Sequence, residues 1–425
     1  MPGIAIIGAG PSGITAAKNM LQAGIQDVVV FEKSDQVGGN WVYSEEPGHS
    51  SVFETTHIIS SKALSQYLDY PMPDSYAEYP SHEELRQYFN DYTDHFNLRG
   101  IIRFNTEVIQ AELQGTDQWK LDISDGTTEV FDHLIVCNGH HWNPRFPKYP
   151  GKFTGEYIHS HDFKNNKPFE GKRVLVIGGG NSACDIAVET CRVADHVSIS
   201  MRRGYYFVPK FIMGKPVDTL NGGMEWLPKA VKNLGFKILL KLSVGGYQDY
   251  GLQKPDHPLL GAHPVVNSEL LYFIKHGKIE ARVDIEKFDG KTVYFTNGST
   301  EDFDTIIAAT GYKITFPFFD ESFIDFSEGS VPLYKKVFHP EIPNLFFVGL
   351  IQPLGCIWPL ADAQSQLVAR FIKGNYQLPE NIHQQIEADI NKIRKNFMNT
   401  PRHSVEVDYH EHMAELKKEL GKQKR

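Results

Sequence analysis

Two glycine-rich runs carry the first chemical signal: GAGPSG at Gly8–Gly13 and GGGNSA at Gly178–Ala183. Such a run, set between a strand and a helix, seats a dinucleotide pyrophosphate. In the first, Gly8 permits a tight turn, Gly10 lets the backbone approach the pyrophosphate, and Gly13 allows close helix–strand packing; Pro11 and Ser12 belong to the same loop. The anion would rest on the helix N-terminus, where free N–H groups and the macrodipole favour negative charge. Glu32 stands 19 residues after Gly13, at the end of the next apolar run. A carboxylate there accepts hydrogen bonds from ribose hydroxyls and repels a 2′-phosphate. The first loop is therefore expected to take FAD or NAD rather than NADP.

In the second copy Gly178 and Gly180 fill the first two roles, Asn181 and Ser182 follow, and Ala183 stands where the third glycine would be. No acid closes the following strand. Arg202 and Arg203 stand 19 and 20 residues after Ala183 instead. A guanidinium fork suits a 2′-phosphate through charge-assisted hydrogen bonds, so this loop is expected to take NADPH. One acidic and one basic ribose site in one chain point to a flavoprotein fed by NADPH.

Other chemistries find little support. The four cysteines, Cys137, Cys184, Cys191 and Cys356, include no CxxC pair. Disulfide-reducing flavoproteins need such a pair beside the flavin, so the acceptor is expected to be dioxygen or another small molecule. His140–His141 and His159/His161 lack the HExxH context of a zinc site, and no metal is expected. The formal net charge of −9 argues against a nucleic-acid partner. With 41% hydrophobic and 22% charged residues, the composition is that of an ordinary globular protein. No apolar run approaches a membrane span, and the first strand-like run already begins at Gly3, so neither an anchor nor a signal peptide is expected. The expected location is the cytoplasm.

The elements that must position these residues follow one grammar. GIAIIG, ITAAKNMLQAG and DVVVFEK read as strand, helix, strand, and the grammar restarts at Lys172. The expected fold class is α/β, with two Rossmann-like dinucleotide-binding domains, the NADPH domain inserted in a discontinuous FAD domain. The expected boundaries are 1–150 for the first FAD part, 151–305 for the NADPH domain with a helical insertion around 210–260, and 306–425 for the second FAD part and C-terminal helices. The apolar runs at Thr305 and Leu345 can return the chain to the first sheet. A helix is expected after Pro359, ending at Gly374. Ile382, Ile386, Ile390, Ile393 and Phe397 have the spacing of a packing helix. The charged stretch from His412 to the end is expected to fray. The basic segment 224–244 reads as a surface helix packed on the second domain, with a membrane-surface or entrance-covering role as the alternative.

At the segment before the second loop, the sequence resembles the flavin-containing monooxygenases of the class B flavoprotein monooxygenases. The family fingerprint FxGxxxHxxx(Y/F) is matched by Phe153, Gly155, His159 and Phe163. GGNW at Gly38–Trp41, LDYPMP at Leu68–Pro73, HPVVNSELL at His263–Leu271 and ATGY at Ala309–Tyr312 follow the family order. The resemblance implies that NADPH reduces FAD, that dioxygen adds to give a C4a-hydroperoxyflavin, and that a soft nucleophile, an amine nitrogen or a sulfide sulfur, takes the distal oxygen. The alternatives are Baeyer–Villiger oxygenation of ketones, where the related fingerprint carries tryptophan in place of Phe163, and an NADPH oxidase-like flavoprotein releasing hydrogen peroxide. A homodimer is a further family-level expectation.

The resemblance also places Lys33, Gly39, Asn40 and Trp41 where the family wraps FAD, with Val108 and Gln352 as further flavin contacts. His159 and Ser160 would seat NADP+, in a segment read as the crossing between the two domains. One departure stands out. The family has an asparagine in a TNxSK-like stretch near the oxygen site; here THIISSK, Thr56–Lys62, puts Ile59 at that position, and His57 or Ser60 would have to substitute. Mammalian relatives have an apolar C-terminal anchor; this tail is charged, so membrane attachment is not carried over.

Overall fold

The computed structural model describes residues 3–46, 48–220, 229–259, 261, 264–397 and 401–421. It divides into two compact units: residues 1–42, 60–143 and 313–425, and residues 43–59 and 144–312.

The first unit opens with β1 (Ile4–Ile7), α1 (Pro11–Gln22) and β2 (Val28–Phe31), followed later by β3 (Ile102–Arg103) and β4 (His133–Val136). All four residues of β1 are buried, which is why its sequence is continuously apolar rather than alternating. Pro11 starts α1, where its missing N–H costs nothing, and Gly24 at φ +79° ends it.

The second unit contains β5 (Glu156–His159), β6 (Arg173–Ile177), α2 (Asn181–Thr190), β7 (His196–Ser200), α3 (Lys229–Val244), β8 (Ile279–Arg282) and β9 (Thr305–Ala308). The chain then resumes the first unit with β10 (Leu345–Phe347), α4 (Trp358–Ile372), α5 (Ile382–Asn396) and α6 (Tyr409–Leu420).

Each unit is built on five parallel strands. The order is β10-β4-β1-β2-β3 in the first and β5-β9-β6-β7-β8 in the second. In both, the strand that leads into the glycine loop is central. Of the two late runs that could rejoin the first sheet, only Leu345–Phe347 does so; Thr305–Ala308 pairs between β5 and β6. An antiparallel sheet of Val108–Gln114, Gln118–Ile123 and Thr128–Phe131 closes the first unit's core around Trp119.

The C-terminal stretch does not fray where it is described. It forms α6, capped by Asp408 accepting the Glu411 N–H at 2.9 Å, with His412, Met413 and Leu416 buried. Lys417 and Lys418 are exposed, Glu419 is buried and accepts from the Tyr376 hydroxyl at 2.9 Å, and Met413 and Leu416, three apart, share one face. Ile382, Ile386 and Ile393 are buried on α5 as their spacing suggests.

Candidate active site

In the first loop the glycines are required by close contact. Gly8 has φ +100°, and a Cβ on Gly13 would collide with the Gly8 carbonyl oxygen. Gly10 caps α1 with no side-chain hydrogen bond, leaving the first-turn N–H groups without a side-chain cap. Gly39, at φ +55°, faces Gly10; a Cβ on either would stand 3.2–3.6 Å from the other's Cα. The GGNW segment, a 3-10 turn over Gly39–Trp41, is thus laid along the helix start, its Gly38 N–H donating to the Ala9 carbonyl at 3.1 Å. Trp41 packs edge-on against Trp358 at the start of α4. Ser12 sits where a Cβ on Gly349 would be, and the Pro11 carbonyl accepts from the Tyr67 hydroxyl at 2.7 Å.

Glu32 is buried. Its Oε2 accepts the Ala9 N–H at 2.7 Å, and its Oε1 accepts both the N–H and the hydroxyl of Ser34 at 2.8 Å. The carboxylate therefore ties the end of β2 to the loop itself, and with three of its roughly four acceptor sites used it keeps capacity for about one ribose hydroxyl. Lys33 is exposed. Val108 is buried with its side chain in the apolar core. Gln352 is half-buried, its Oε1 3.5 Å from His140 Nε2, and burial pushes His140 down to about 4.

The second loop repeats the geometry with different neighbours. Gly178 has φ +138°, and a Cβ there would strike the Ala309 carbonyl and stand 3.3 Å from Ala183, which is fully buried. Tyr205 fills the space beside Gly179. Gly180 caps α2 without a side-chain hydrogen bond, and Ser182 is exposed in the first turn. Asn181 is already used by its own unit: its Oδ1 accepts the Val266 N–H at 2.7 Å. The neighbouring Asn267 donates to Asp185 at 2.6 Å, and burial raises the Asp185 carboxyl to about 6. The described part of the VVNSELL stretch thus braces the first two turns of α2; His263 lies outside the described residues. Arg202 is exposed, whereas Arg203 is half-buried with its guanidinium 5.5 Å from the Tyr205 ring centroid.

The fingerprint segment is not a free crossing. Residues 151–153 pair with residues 288–290, and β5 is an edge strand of the second parallel sheet, so the stretch belongs wholly to the second unit. Gly155 has no room for a side chain between the Asp304 carbonyl and the Phe153 ring. His159 is fully buried between Phe146 and Tyr312, ring centroids 5.4 and 5.2 Å away, and its Nδ1 accepts the His161 N–H at 3.1 Å. Burial first, and the His161 charge second, lower its pKa to about 4. Ser160 hydrogen-bonds Tyr312, whose phenol is pushed up to about 12 by burial. Phe163 is a core residue stacked on Phe169.

At the departure point, Ile59 is half-buried and His57 exposed, with its Nδ1 3.0 Å from the Thr55 carbonyl. Ser60 is buried, its hydroxyl 2.9 Å from that of Ser65. Sequence reasoning had missed three participants: Asp185 and Asn267 as braces of the second loop, and His140 as the partner of Gln352. His140 carried a signal in lying just beyond β4, and Asn267 in belonging to the HPVVNSELL stretch; its pairing with Asp185 carried none, because the two are 82 residues apart.

Two parallel-sheet units, each presenting a glycine turn and a helix start without a side-chain cap, define a two-dinucleotide flavoprotein oxidoreductase. Over residues 2–424 the chain matches the model of the flavin-binding monooxygenase-like family. It belongs to that family. It is 37% identical to flavin-containing monooxygenase 5 of Rattus norvegicus and 32% identical to dimethylaniline monooxygenase (N-oxide-forming) 2 of Oryctolagus cuniculus, in each case over 98% of this chain and 82% of the relative. The S-allyl-L-cysteine S-oxygenase of Allium sativum has the same fold, with TM-score 0.75, 24% identity and coverage of 99% of this chain and 88% of that one. So does NADP+-bound cyclohexanone monooxygenase from Rhodococcus sp. Phi1, with TM-score 0.69, 18% identity and coverage of 93% and 90%. The protein is an FAD-containing, NADPH-dependent monooxygenase. Among the described residues no helix is long and apolar enough to cross a membrane.

Proposed function

We propose that this monooxygenase oxygenates small soft nucleophiles at nitrogen or sulfur in the cytoplasm, with Glu32 seating the adenosine half of FAD and Arg202 the 2′-phosphate of NADPH. The observation that carries the cofactor assignment is the asymmetry of two otherwise matching loops. A buried carboxylate closes the first; an exposed guanidinium follows two residues after Ser200, whose carbonyl accepts the Gly178 N–H of the second at 3.0 Å. The residues fit the two groups: both loops offer helix-start N–H groups without side-chain caps, and neither has room for Cβ atoms at Gly8, Gly13 or Gly178. Nitrogen as a target is supported by the N-oxide-forming relative, and sulfur presents the same kind of lone pair.

FAD and NADPH, when bound, supply the electrons with which dioxygen is split, one atom going to substrate and one to water. The chain's part is to hold, orient and exclude water rather than to move protons. His140 and His159 are both held neutral, so neither is a proton donor near pH 7. His140, in the tautomer protonated at Nε2, fixes the Gln352 carbonyl oxygen and thereby the direction of its amide. The His57 Nδ1–H donates to a carbonyl, which leaves its Nε2 an acceptor when neutral. Ser60 is turned inward to Ser65. With Ile59 unable to donate, the reading includes a raised share of hydrogen peroxide among the products.

A screen of tertiary amines, sulfides and ketones, following NADPH, oxygenated product and peroxide together, tests this. N-oxides or sulfoxides as dominant products support the reading. Lactones or esters from ketones as the dominant products would replace it with Baeyer–Villiger oxygenation.

A further inference from the structure

Past strand β10 the chain runs against the first glycine loop. Gly349 has φ +80°, and a Cβ there would overlap the Ser12 hydroxyl in the first turn of α1. One side chain sets the path the chain takes at this point. Gln364 on α4 is fully buried, and its Oε1 accepts the Gly349 N–H at 3.0 Å. Its Nε2 donates to the Lys335 carbonyl at 3.4 Å. The amide has one orientation: turned over, it would set donor against donor and acceptor against acceptor.

The Lys335 carbonyl belongs to a strained turn. Lys335 and Lys336 both have left-handed backbone, φ +52° and +59°, which side-chain-bearing residues adopt only where their surroundings impose it. The C-terminal helices impose it here. Lys336 is 1% exposed and its Nζ lies 2.9 Å from Asp389 on α5, while Lys335 meets Glu415 on α6 at 3.1 Å. Lys392 on α5 bridges Glu411 and Glu415, each at 2.9 Å, and so ties α5 to α6. An unbroken line therefore runs from Glu415 through Lys335, Gln364 and Gly349 to Ser12.

We propose that Gln364 is a positioning residue for FAD, through which the C-terminal helices hold the first glycine loop in the shape that receives the dinucleotide. This rests on the reading that the first loop seats FAD. Buried and turned to backbone at both ends, Gln364 acts on how long the flavin stays rather than on the reaction.

The experiment is the rate of FAD release from the purified holoenzyme after dilution, read as recovery of free-flavin fluorescence. Far-UV circular dichroism of the same samples shows that the fold persists. Gln364→Met keeps length and helix propensity but makes neither hydrogen bond, and is expected to speed release about tenfold or more by stranding the buried Gly349 N–H. Gln364→Glu keeps an acceptor for that N–H and should recover most of the loss. Glu415→Gln cuts the line at its far end and should speed release about threefold. Combined with Gln364→Met it should add nothing, because the line is already cut. Release at the wild-type rate in either single variant overturns the proposal. So do effects that multiply in the double variant, which would leave the C-terminal helices as general packing. Gly10→Val separates this from the reading beneath it. If Gly10→Val loses FAD while Gln364→Met holds it normally, Gln364 alone is removed; if Gly10→Val keeps a full complement of FAD, the first loop is not the FAD seat and the role of Gln364 falls with it.

Discussion

The Glu32 carboxylate accepts the Ala9 N–H at 2.7 Å, so the acid expected at the ribose also fastens the loop proposed to seat the pyrophosphate. Replacing it by glutamine puts an amide N–H₂ against one set of backbone donors. Glu32→Gln is expected to lower FAD occupancy of the purified protein and to cost about 1–3 kcal/mol of stability, the penalty of a buried donor left unmade. The ratio of flavin to protein absorbance and chemical denaturation of the apoprotein check the two effects separately. Full FAD occupancy with an unchanged denaturation midpoint would remove Glu32 from both roles.

Arg202 and Arg203 are adjacent in sequence but differently placed. Arg202 is exposed, and Arg203 lies over Tyr205. Arg202→Ala is expected to raise KM for NADPH by about 10–100-fold, the loss of a charge-assisted contact worth roughly 1.5–3 kcal/mol. Its KM for NADH and its kcat should change little. Arg203→Ala is expected to act mainly on stability. Initial rates with both nucleotides decide it, since a merely structural arginine would weaken NADPH and NADH alike.

Lys18 is 1% exposed on α1 and meets two carboxylates, Asp362 on α4 at 2.7 Å and Asp69 at 2.6 Å. Asp362 also accepts from Thr15, Asn19 and Gln366. Lys18→Met leaves Asp362 buried without its cation and is expected to cost about 3–5 kcal/mol. Adding Asp362→Asn should restore part of that loss, because the uncompensated charge is gone. A double-mutant cycle by urea denaturation measures the coupling, and simple additivity would show that the pair contributes nothing specific.

His140, His159 and His412 are all pushed down to about 4, chiefly by burial. Their folded pKa values lie below the ordinary value near 6.5, so between about 4 and 6.5 the unfolded chain binds more protons than the folded one. Their stabilising share is complete above pH 6.5 and is lost as pH falls through the window, each histidine adding a slope of up to about 1.4 kcal/mol per pH unit. Denaturation midpoints taken from pH 7.5 to 4.5 should fall accordingly, and His412→Phe should flatten the curve. A midpoint that does not move across this window contradicts the burial argument.

The legible parts of this molecule are those that local stereochemistry dictates. Gly8 and Gly178 announce themselves because only glycine tolerates their positive φ and their crowding, and Glu32 and Arg202 because their distance from the loops is fixed by a strand-turn-helix unit. The destination of Thr305–Ala308 was not legible, since a continuously apolar strand is compatible with any buried parallel sheet and carries no record of its neighbours. Nor was the work of Asn181, whose partner Val266 lies 85 residues away. The end of the chain misled because charge was weighed over period: Met413 and Leu416 suffice to bury one face of α6.

His159 joins both kinds of reading. Its place in the fingerprint was legible; its burial between Phe146 and Tyr312 was not, and that burial changes what its removal should do. His159→Ala opens a void in the edge of the second sheet and strands the His161 N–H that Nδ1 accepts. FAD should stay bound, because the first unit is untouched, while NADPH consumption per oxygenated product should rise. His159→Asn retains a side-chain acceptor and should recover part of the coupling. Stoichiometry of NADPH, product and peroxide in the two variants distinguishes seating of the nucleotide from simple loss of packing. Equal uncoupling in Ala and Asn would leave only packing, and loss of flavin in either would assign the residue to the first unit's cofactor instead.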